Sequence, residues 1–368
     1  MKILLVGGGT SGHVLPALSV GRAILKESPQ SEVWFVGSRR SADREVVQSA
    51  GFKFISIPAG KLRRYWDWQN IIDLFVTLAG WFSAMAIILR FQPNRVFIKG
   101  GYVGVPVGFA AWILARPIII HESDARMGLA NRLLTPLAKR ICVSFPVDSY
   151  KLPKKYIAKL IHTGTPVNEI FYTPEIENNT GIPFSEVKPF LLVMGGSQGA
   201  QAINRLVQAS LSALIQDYQV LHLAGARDFA TLKEWAETER FRHYYLFESL
   251  PNEQVAYLMR KAAVIISRAG ATAIAEIAAS ARPVILVPLP SSANQHQLYN
   301  AEYLADRGAA VLIKQEDLTP EVLQERIFKI MNSDLGPRLI FNIKSITQKD
   351  ADLKIAHLVL YDNNDNLN

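Results

Sequence analysis

The chain alternates between short apolar runs and longer segments in which apolar residues recur at helical spacing. Apolar runs of this length, bounded by turn residues, predict buried strands, and the segments between them predict helices. The first half contains predicted strands at residues 2–6, 32–36, 53–57, 95–98, 117–120 and 140–143. The second half contains predicted strands at residues 190–194, 218–222, 244–247, 262–266, 284–287 and 310–313. Strands that alternate with helices predict a doubly wound parallel sheet in each half.

A connector rich in Pro, Asn and Thr separates the two series of strands, reading TGTPV and then FYTPEIENNTGIPF. The length of 368 residues suits two domains better than one core. We therefore predict an α/β fold with two doubly wound Rossmann-like domains, residues 1–165 and 166–345, facing a cleft. The last helix, within 346–368, is free in this scheme to pack back on the first domain.

A glycine-rich turn follows the first strand of each half, in KILLVGGGTSG (2–12) and FLLVMGGSQG (190–199). A strand that closes on glycines and opens into a helix presents backbone N–H groups to a phosphate. The first turn formally matches the dinucleotide fingerprint, which also requires an acidic residue at the end of the second strand. That strand ends in WFVGSRR. The missing acid disfavours an NAD site.

Net charge is distributed unevenly along the chain. Residues 1–165 carry 22 Lys and Arg against 9 Asp and Glu, which leaves 18 against 23 of the total of 40 and 32. The first half is thus +13 and the second −5. Such asymmetry indicates an anionic partner for the first half, either nucleic acid, an anionic membrane or a phosphate-bearing substrate. No nucleic-acid motif accompanies the charge, so we predict no nucleic-acid partner.

The segment from Lys61 to Arg90 favours the membrane among these partners. KLRRYWDWQN combines cations with aromatic residues and leads into an apolar helix, in which Leu74–Leu89 is a 16-residue stretch without charge. This stretch is shorter than the roughly 20 residues that span a bilayer, so we do not predict a transmembrane helix. Basic and aromatic residues beside an apolar helix suit an interfacial anchor. A buried crossover helix is the alternative.

In parallel sheets ligands bind at the carboxyl ends of strands, so polar residues there are the candidate site. In the first half His13 follows the glycine turn, where an imidazole can take a proton from a hydroxyl or can simply cap the helix. Glu122 and Asp124 follow the fifth strand in HESDARMGLANR, as general bases, hydroxyl acceptors or exposed loop carboxylates without a role. The single cysteine, Cys142, lies in an apolar run and is predicted to be a buried structural thiol of a reducing cytoplasm.

In the second half, SRAGATAIAEIAA (267–279) places small residues, including Ala271, at a helix start and Glu276 farther along the helix. Small residues let a phosphate approach the N–H groups, and a nearby carboxylate can accept both ribose hydroxyls. NQHQLYNAEYL (294–304) supplies amides and His296 at another helix start, a set suited to sugar hydroxyls.

Seven segments in this order resemble the MurG family of bacterial peptidoglycan synthesis: GGGTSGH, GGYVGVP, HESDARMGLANR, TGTPV, MGGSQGAQAIN, SRAGATAIAEIAA and NQHQLYNA. The resemblance runs from about residue 1 to residue 310. It implies a GT-B fold and an inverting N-acetylglucosaminyltransferase, with no cofactor and no essential metal. The implied reaction transfers GlcNAc from UDP-GlcNAc to the C4 hydroxyl of the muramoyl residue of undecaprenyl-linked lipid I, giving lipid II. The implied location is peripheral, on the cytoplasmic face of the bacterial inner membrane.

The resemblance also implies roles for individual residues. In the second domain it places Ser197 near the donor diphosphate, the Arg268–Glu276 stretch around the nucleotide, Glu276 on the ribose and Gln297 on the sugar. In the first domain it places Thr10, Ser11, Gly12 and His13 along the cleft, with Tyr102 nearby. His13 is the first candidate for the base that deprotonates the acceptor, followed by Asp124 and Glu122, and Arg268 is expected to stabilise the departing UDP.

Four positions depart from the family pattern. Ser11 replaces a glycine of the usual GGTGGH, and Asp124 replaces the amide of HEQN. Asn168 stands where an arginine commonly helps to hold the donor. Near the sugar, one inserted residue leaves His296 or Gln295 as alternatives for the first amide. Another lipid acceptor, such as diacylglycerol, fits the same fold and anchor, whereas an oxidoreductase is disfavoured by the missing ribose acid.

Overall fold

The computed structural model describes residues 1–9, 11–39, 43–60, 68–173, 176–182, 187–196 and 199–362. The chain divides into two compact units, Met1–Asn168 with Gln348–Asn368, and Glu169–Thr347. The sequence placed the corresponding boundaries near residues 165 and 345. Each unit is a parallel sheet with helices between its strands, which confirms the α/β, two-domain Rossmann-like fold.

The first unit contains a seven-stranded sheet. Its strands are β1 (Lys2–Val6), β2 (Glu32–Ser38), β3 (Lys53–Ile57), β4 (Arg95–Ile98), β5 (Ile118–Glu122), β6 (Arg140–Val143) and β7 (Leu160–His162). Its helices up to this point are α1 (Ser11–Glu27), α2 (Asp43–Ser49), α3 (Gln69–Phe91), α4 (Gly104–Ile113), α5 (Leu129–Leu134) and α6 (Lys154–Ile157). The strand order is β3-β2-β1-β4-β5-β6-β7. Successive strands are therefore added on one side of β1 up to β3 and on its other side from β4 onward, so the strand order reverses between β1 and β4. A ligand crevice is expected at this reversal.

The second unit contains a six-stranded sheet. Its strands are β8 (Phe190–Met194), β9 (Gln219–Leu223), β10 (Tyr244–Phe247), β11 (Val264–Ser267), β12 (Val284–Leu286) and β13 (Val311–Leu312). Its helices are α7 (Gln201–Asp217), α8 (Phe229–Glu239), α9 (Asn252–Lys261), α10 (Ala271–Ser280), α11 (His296–Ala305), α12 (Pro320–Asn332) and α13 (Leu335–Ile346). The order β10-β9-β8-β11-β12-β13 puts the reversal between β8 and β11. Each glycine-rich turn therefore follows the strand at which the strand order of its sheet reverses.

The last helix, α14 (Ala351–Tyr361), belongs to the first unit and packs against α1. Its Ile355 and Val359 are fully buried in the same apolar cluster as Ile3 and Leu5 of β1. Polar contacts fix its end, because Arg95 donates to the carbonyl of Leu358 at 2.9 Å. The first unit thus begins and ends the chain.

Helix α3 corrects the length argument made from the sequence. It runs for 23 residues, and its segment Ile71–Phe91, with a mean hydropathy of 2.0, is long and apolar enough by length and composition to cross a membrane. Ala84, Ile88 and Phe91 are buried, so one side of the helix packs within the unit. The opposite side exposes large apolar residues: Ile71, Leu74, Phe75, Leu78, Phe82 and Leu89. Lys61, Arg63, Arg64 and Trp66 lie outside the described residues.

Candidate active site

The first glycine-rich turn is contacted by the first residue of α2 and by the loop that follows β4. Gly9 has φ +92° and donates its N–H to Asp43 Oδ2 at 3.1 Å. A Cβ placed on Gly9 would lie 2.5 Å from Tyr102 Cε1, so the tyrosine ring packs directly on this glycine. Only glycine fits both the backbone angle and the ring. The structure therefore brings the turn and Tyr102, which follows β4, to one place.

His13 lies in the first turn of α1 and is half-buried. A Cβ placed on Gly101 would lie 3.5 Å from His13 Nδ1, so the imidazole stands against the loop that follows β4. Gly12 is half-buried beside it. Thr10 and the side chain of Ser11 lie outside the described residues. The imidazole thus lies beyond the ends of β1 and β4, where the strand order of the first sheet reverses.

Glu122 ends β5 and is buried. Its carboxylate accepts three hydrogen bonds, from Asp124 N at 3.0 Å, Gly128 N at 2.8 Å and Asn131 Nδ2 at 3.0 Å. Burial and the charge of Asp124 raise the pKa of Glu122 against the opposing effect of these donors. The hydrogen bonds to Glu122 hold residues 123–128 in a closed loop. Glu122 is buried, whereas the carboxylate of Asp124 belongs to a half-exposed residue.

Lys99 was not among the residues selected from the sequence, although it directly follows an apolar strand in KGGYVGVP. It is 2% exposed, and its Nζ donates to Ser123 Oγ at 2.5 Å. Burial lowers the pKa of Lys99 to about 8, while Glu122 and Asp124 act in the opposite direction. A buried cation therefore lies beside both candidate carboxylates.

In the second unit the glycine-rich turn packs against the end of β9. Gly196 and Gly199 have φ of +81° and +80°, and a Cβ on Gly199 would lie 2.5 Å from the carbonyl oxygen of Ala224. Asn204 of α7 donates to this same carbonyl at 3.1 Å, a contact for which the sequence gives no signal beyond its place in the motif. Ser197, the residue expected near the donor diphosphate, lies outside the described residues.

Asn204 is itself held by His222, which is fully buried on β9. His222 contacts Asn204 Oδ1 through Nε2 and the hydroxyl of Tyr244 through Nδ1, each at 2.9 Å. Burial lowers the pKa of His222 to about 3, so the ring is neutral. Because Asn204 Oδ1 can only accept, Nε2 carries the proton. This neutral histidine supports the turn through Asn204.

Helix α10 begins without a side-chain cap hydrogen bond from its Ncap residue. Its Ncap is Gly270 and its first residue is the buried Ala271. In the described structure a Cβ placed on Gly270 would meet nothing within 4 Å, so this helix start is open. Such an end is a ready anion site. Arg268, just before it, donates to the carbonyls of Val287 and Pro288 at 3.1 and 3.2 Å, and burial lowers its pKa.

Glu276 lies in the second turn of α10 and is half-buried. Burial raises the pKa of its carboxyl to about 8. Within the part of the chain that the structure describes, its carboxyl oxygens have no hydrogen-bond partner. A desolvated carboxyl without partners is costly unless a ligand supplies them.

The loop from β12 to α11 completes this edge of the second sheet. Gln297 accepts from Leu289 N at 3.0 Å, and His296 Nδ1 bonds to the carbonyl of Ala293 at 2.7 Å. Asn294 and Gln295 both have positive φ, 55° and 54°, a strained conformation that is typical of functional loops. Asn300 links α11 to the turn before α10 through the carbonyl of Ala269 at 3.1 Å.

These contacts sort the candidate residues into two groups. In the first unit, β1, β4 and β5 are neighbouring strands; Glu122 ends β5, and His13, Tyr102 and Asp124 follow β1, β4 and β5. In the second, Arg268, Ala271, Glu276, His296 and Gln297 follow the neighbouring strands β11 and β12. Asn168 belongs to neither group, because it is the half-buried last residue before the unit boundary.

Comparisons with known proteins agree with this arrangement. Residues 3–143 match the glycosyltransferase family 28 N-terminal domain, and residues 190–354 match the glycosyltransferase family 28 C-terminal domain. The chain is 38% identical over 361 residues to a UDP-N-acetylglucosamine–N-acetylmuramyl-(pentapeptide) pyrophosphoryl-undecaprenol N-acetylglucosamine transferase of Clostridium kluyveri, covering 97% of this chain and 98% of the relative. A transferase of the same description from Clostridium tetani is 36% identical and covers 97% of each chain.

Solved structures give the same result. The chain is similar to the crystal structure of Acinetobacter baumannii MurG, with a TM-score of 0.75, 27% identity, and coverage of 97% of this chain and 99% of that one. A UDP-GlcNAc 2-epimerase from Neisseria meningitidis bound to UDP-GlcNAc has a TM-score of 0.69 at 15% identity, covering 98% of this chain and 100% of that one. The second similarity concerns the fold alone.

Proposed function

Because the chain belongs to the family of UDP-N-acetylglucosamine–N-acetylmuramyl-(pentapeptide) pyrophosphoryl-undecaprenol N-acetylglucosamine transferases, we propose that it converts lipid I to lipid II. In this reaction GlcNAc passes from UDP-GlcNAc to the C4 hydroxyl of the muramoyl residue. The observation that carries the proposal beyond family membership concerns α10: within the described residues its Ncap makes no side-chain cap hydrogen bond, and the buried carboxyl of Glu276 has no hydrogen-bond partner.

The second unit is the proposed donor site. The diphosphate would bind the N–H groups at the start of α10, and the two ribose hydroxyls would donate to Glu276. Gln297, whose Oε1 is used by Leu289 N, keeps its amide hydrogens for the sugar. Arg268 anchors the loop after β12 through its carbonyls and adds positive charge behind the departing UDP. Ser197 is proposed to add a hydroxyl to the diphosphate site.

The first unit is the proposed acceptor site. His13 takes the proton from the C4 hydroxyl as that oxygen attacks the anomeric carbon of GlcNAc. The bond from this carbon to the diphosphate oxygen breaks, its electron pair leaves with UDP, and the configuration inverts. Asp124, the more exposed carboxylate of its loop, is the second candidate for the base. Thr10, Ser11, Gly12 and Tyr102 would contact the lipid-linked sugar diphosphate.

We propose that the enzyme binds an anionic membrane through the exposed side of α3 and the end of the adjacent helix α4. The exposed residues Ile71, Phe75, Leu78, Phe82 and Leu89 lie on one side of α3, at three-, four- and seven-residue spacings. Helix α4, which packs against α3, adds the exposed Trp112 and Ile113. Exposed Arg90 lies on α3, exposed Arg132 lies on α5, which packs against α4, and exposed Arg126 lies in the loop before α5. An apolar stripe flanked by cations is what an interfacial helix presents to anionic lipid.

This surface is tested by vesicle binding. Burying one Phe side chain is worth about 1.5–3 kcal/mol, so Phe75→Ser with Phe82→Ser should weaken binding to phosphatidylglycerol vesicles on the order of 100-fold or more. The matched control replaces the exposed Phe328 and Phe341 of the second unit with Ser. Equal binding by both double variants would contradict the assignment of α3.

The reaction is tested by following radiolabelled GlcNAc from UDP-GlcNAc to short-chain lipid I, with UDP-glucose as a competing donor. Transfer to lipid I with release of UDP is expected, whereas release with diacylglycerol and not with lipid I would favour the other lipid acceptor. The turnover of His13→Ala at saturating lipid I distinguishes His13 from Asp124 as the base. Turnover close to that of the wild type would exclude His13.

A further inference from the structure

The segment that begins with the buried Lys99 contacts the residues that follow β1 and β5. The main-chain N–H of Lys99 donates to the carbonyl of Val6 at 2.9 Å, which joins the ends of β1 and β4 where the first sheet reverses. Its ammonium reaches Ser123 on the loop that Glu122 folds. Gly101, two residues later, supports the His13 ring. The Lys99 ammonium therefore lies beside the candidate carboxylates, on the same loop as the glycine that lies against the candidate base His13.

Several charged or titratable groups face this ammonium. Glu122, Asp124 and His121 come from β5 and its loop, and each is close enough to interact electrostatically with Lys99. From α1, His13 lies against Gly101, two residues after Lys99, and Asp43 of α2 holds the adjacent turn through Gly9 N. Burial lowers the pKa of Lys99 only to about 8, so most of the side chains remain protonated at neutral pH. A persistent positive charge is thus built into the acceptor side.

A positive charge in this position has one direct electrostatic effect. It disfavours protonation of a nearby imidazole, and it favours the ionised form of a nearby carboxyl. Both effects keep a proton acceptor ready, whichever of His13 and Asp124 takes the proton. A lysine that served only to hold Ser123 would lack this consequence.

We propose that Lys99 is a positioning residue whose buried ammonium keeps the acceptor-side base unprotonated and, through Ser123, fixes the loop that carries Asp124. This proposal rests on the proposed transferase function. The charge and the hydrogen bond are separable by substitution, because Lys99→Met removes both and Ser123→Ala removes only the bond.

The first test is the pH dependence of kcat for GlcNAc transfer to lipid I. In Lys99→Met, and in the polar variant Lys99→Gln, the acid limb should move to higher pH by about one unit, so that turnover near pH 6 falls about tenfold. Lys99→Arg should return the midpoint toward that of the wild type. Ser123→Ala should lower turnover without moving the limb.

The control is Lys53→Met, which removes a cation of the same unit at the start of β3, where Lys53 lies over Trp34. Its acid limb should match the wild type. A Lys99→Met profile that superimposes on the wild type after scaling, or a Lys99→Arg midpoint equal to that of Lys99→Met, would overturn the proposal.

The second test does not depend on turnover. The His13 imidazole is titrated by NMR in the full chain, and Lys99→Met should raise its midpoint while Lys53→Met should not. An unchanged His13 midpoint together with an unchanged acid limb would exclude the charge effect. A wild-type chain that fails to transfer GlcNAc would instead refute the proposed function, and the titration would still report on Lys99.

Discussion

Replacing Glu276 with Gln should stabilise the chain and weaken UDP binding at the same time. Burial in the folded chain raises the pKa of this carboxyl from 4.5 to about 8. Between these values the folded state retains a proton that the unfolded state has released. The stability of the wild type therefore falls as the pH rises through this window, and an amide removes the penalty.

The magnitude follows from the two pKa values. At about 1.36 kcal/mol per pH unit, a fully desolvated carboxyl would cost roughly 3 kcal/mol at pH 7. The side chain keeps part of its surface exposed. Solvent then reduces the penalty to about 1–2 kcal/mol. Glu276→Gln should show little gain at pH 4.5 and most of its gain at pH 8.

Urea unfolding at pH 4.5 and pH 8 measures this gain, with the exposed Glu253→Gln of α9 as the control. Calorimetric titration with UDP measures the predicted loss of UDP affinity. Loss of a charged acceptor costs about 1.5–3 kcal/mol, so the Kd for UDP should rise roughly tenfold or more. UDP affinity of the wild type should also increase between pH 6 and pH 8.5, since ribose binding favours the ionised carboxyl.

Two outcomes would refute the reasoning separately. A stability gain that is equal at both pH values would show that Glu276 is not desolvated in the folded chain. An unchanged Kd for UDP would show that the carboxyl does not receive the ribose, whatever its ionisation.

Two further substitutions test the first unit. Gly9→Ala places a Cβ 2.5 Å from the Tyr102 ring at φ +92°. It should lower the free energy of unfolding by about 1–3 kcal/mol and raise the KM for lipid I. The control Gly51→Ala, at φ +83° with nothing within 4 Å of the added Cβ, measures the backbone strain alone. Asp362 is buried, which opposes its ionisation, but Arg140 and Lys139 outweigh this and lower its pKa. Asp362→Ala should therefore cost about 1–3 kcal/mol in urea unfolding at pH 7, and the difference from the wild type should shrink as the pH falls below about 4; a constant difference would contradict the ion pairs.

The alternation of apolar runs and helical segments was sufficient to predict both sheets. Central strands such as Lys2–Val6 and Phe190–Met194 are buried on both faces, so their sequences are continuously apolar and easily found. The edge strand β7 was missed because three residues, Leu160–His162, form no pattern. The extent of α3 was underestimated because a count between charges stops at Asp73, which is buried within the described structure.

The candidate site was predictable where chemistry follows a strand directly. His13 and Glu276 could be selected from their motifs, and the parallel topology places the helices that carry them directly after strand ends. Their surroundings could not be predicted, since Lys99 becomes notable only when Ser123 and Glu122 are seen around it. The engagement of Glu122 with three donors likewise depends on Asn131, nine residues later in the chain. The individual contacts of donor and acceptor remain predictions.

The return of α14 to the first unit has a consequence for biosynthesis. Ile355, Leu358 and Val359 belong to the core that surrounds β1, although the ribosome makes them about 350 residues later. The second unit is continuous in sequence and can complete its core during translation. The first unit cannot, so its apolar helix α3 emerges long before the domain that supports it is finished. A chain truncated before residue 351 should therefore retain a folded second unit and lose the first.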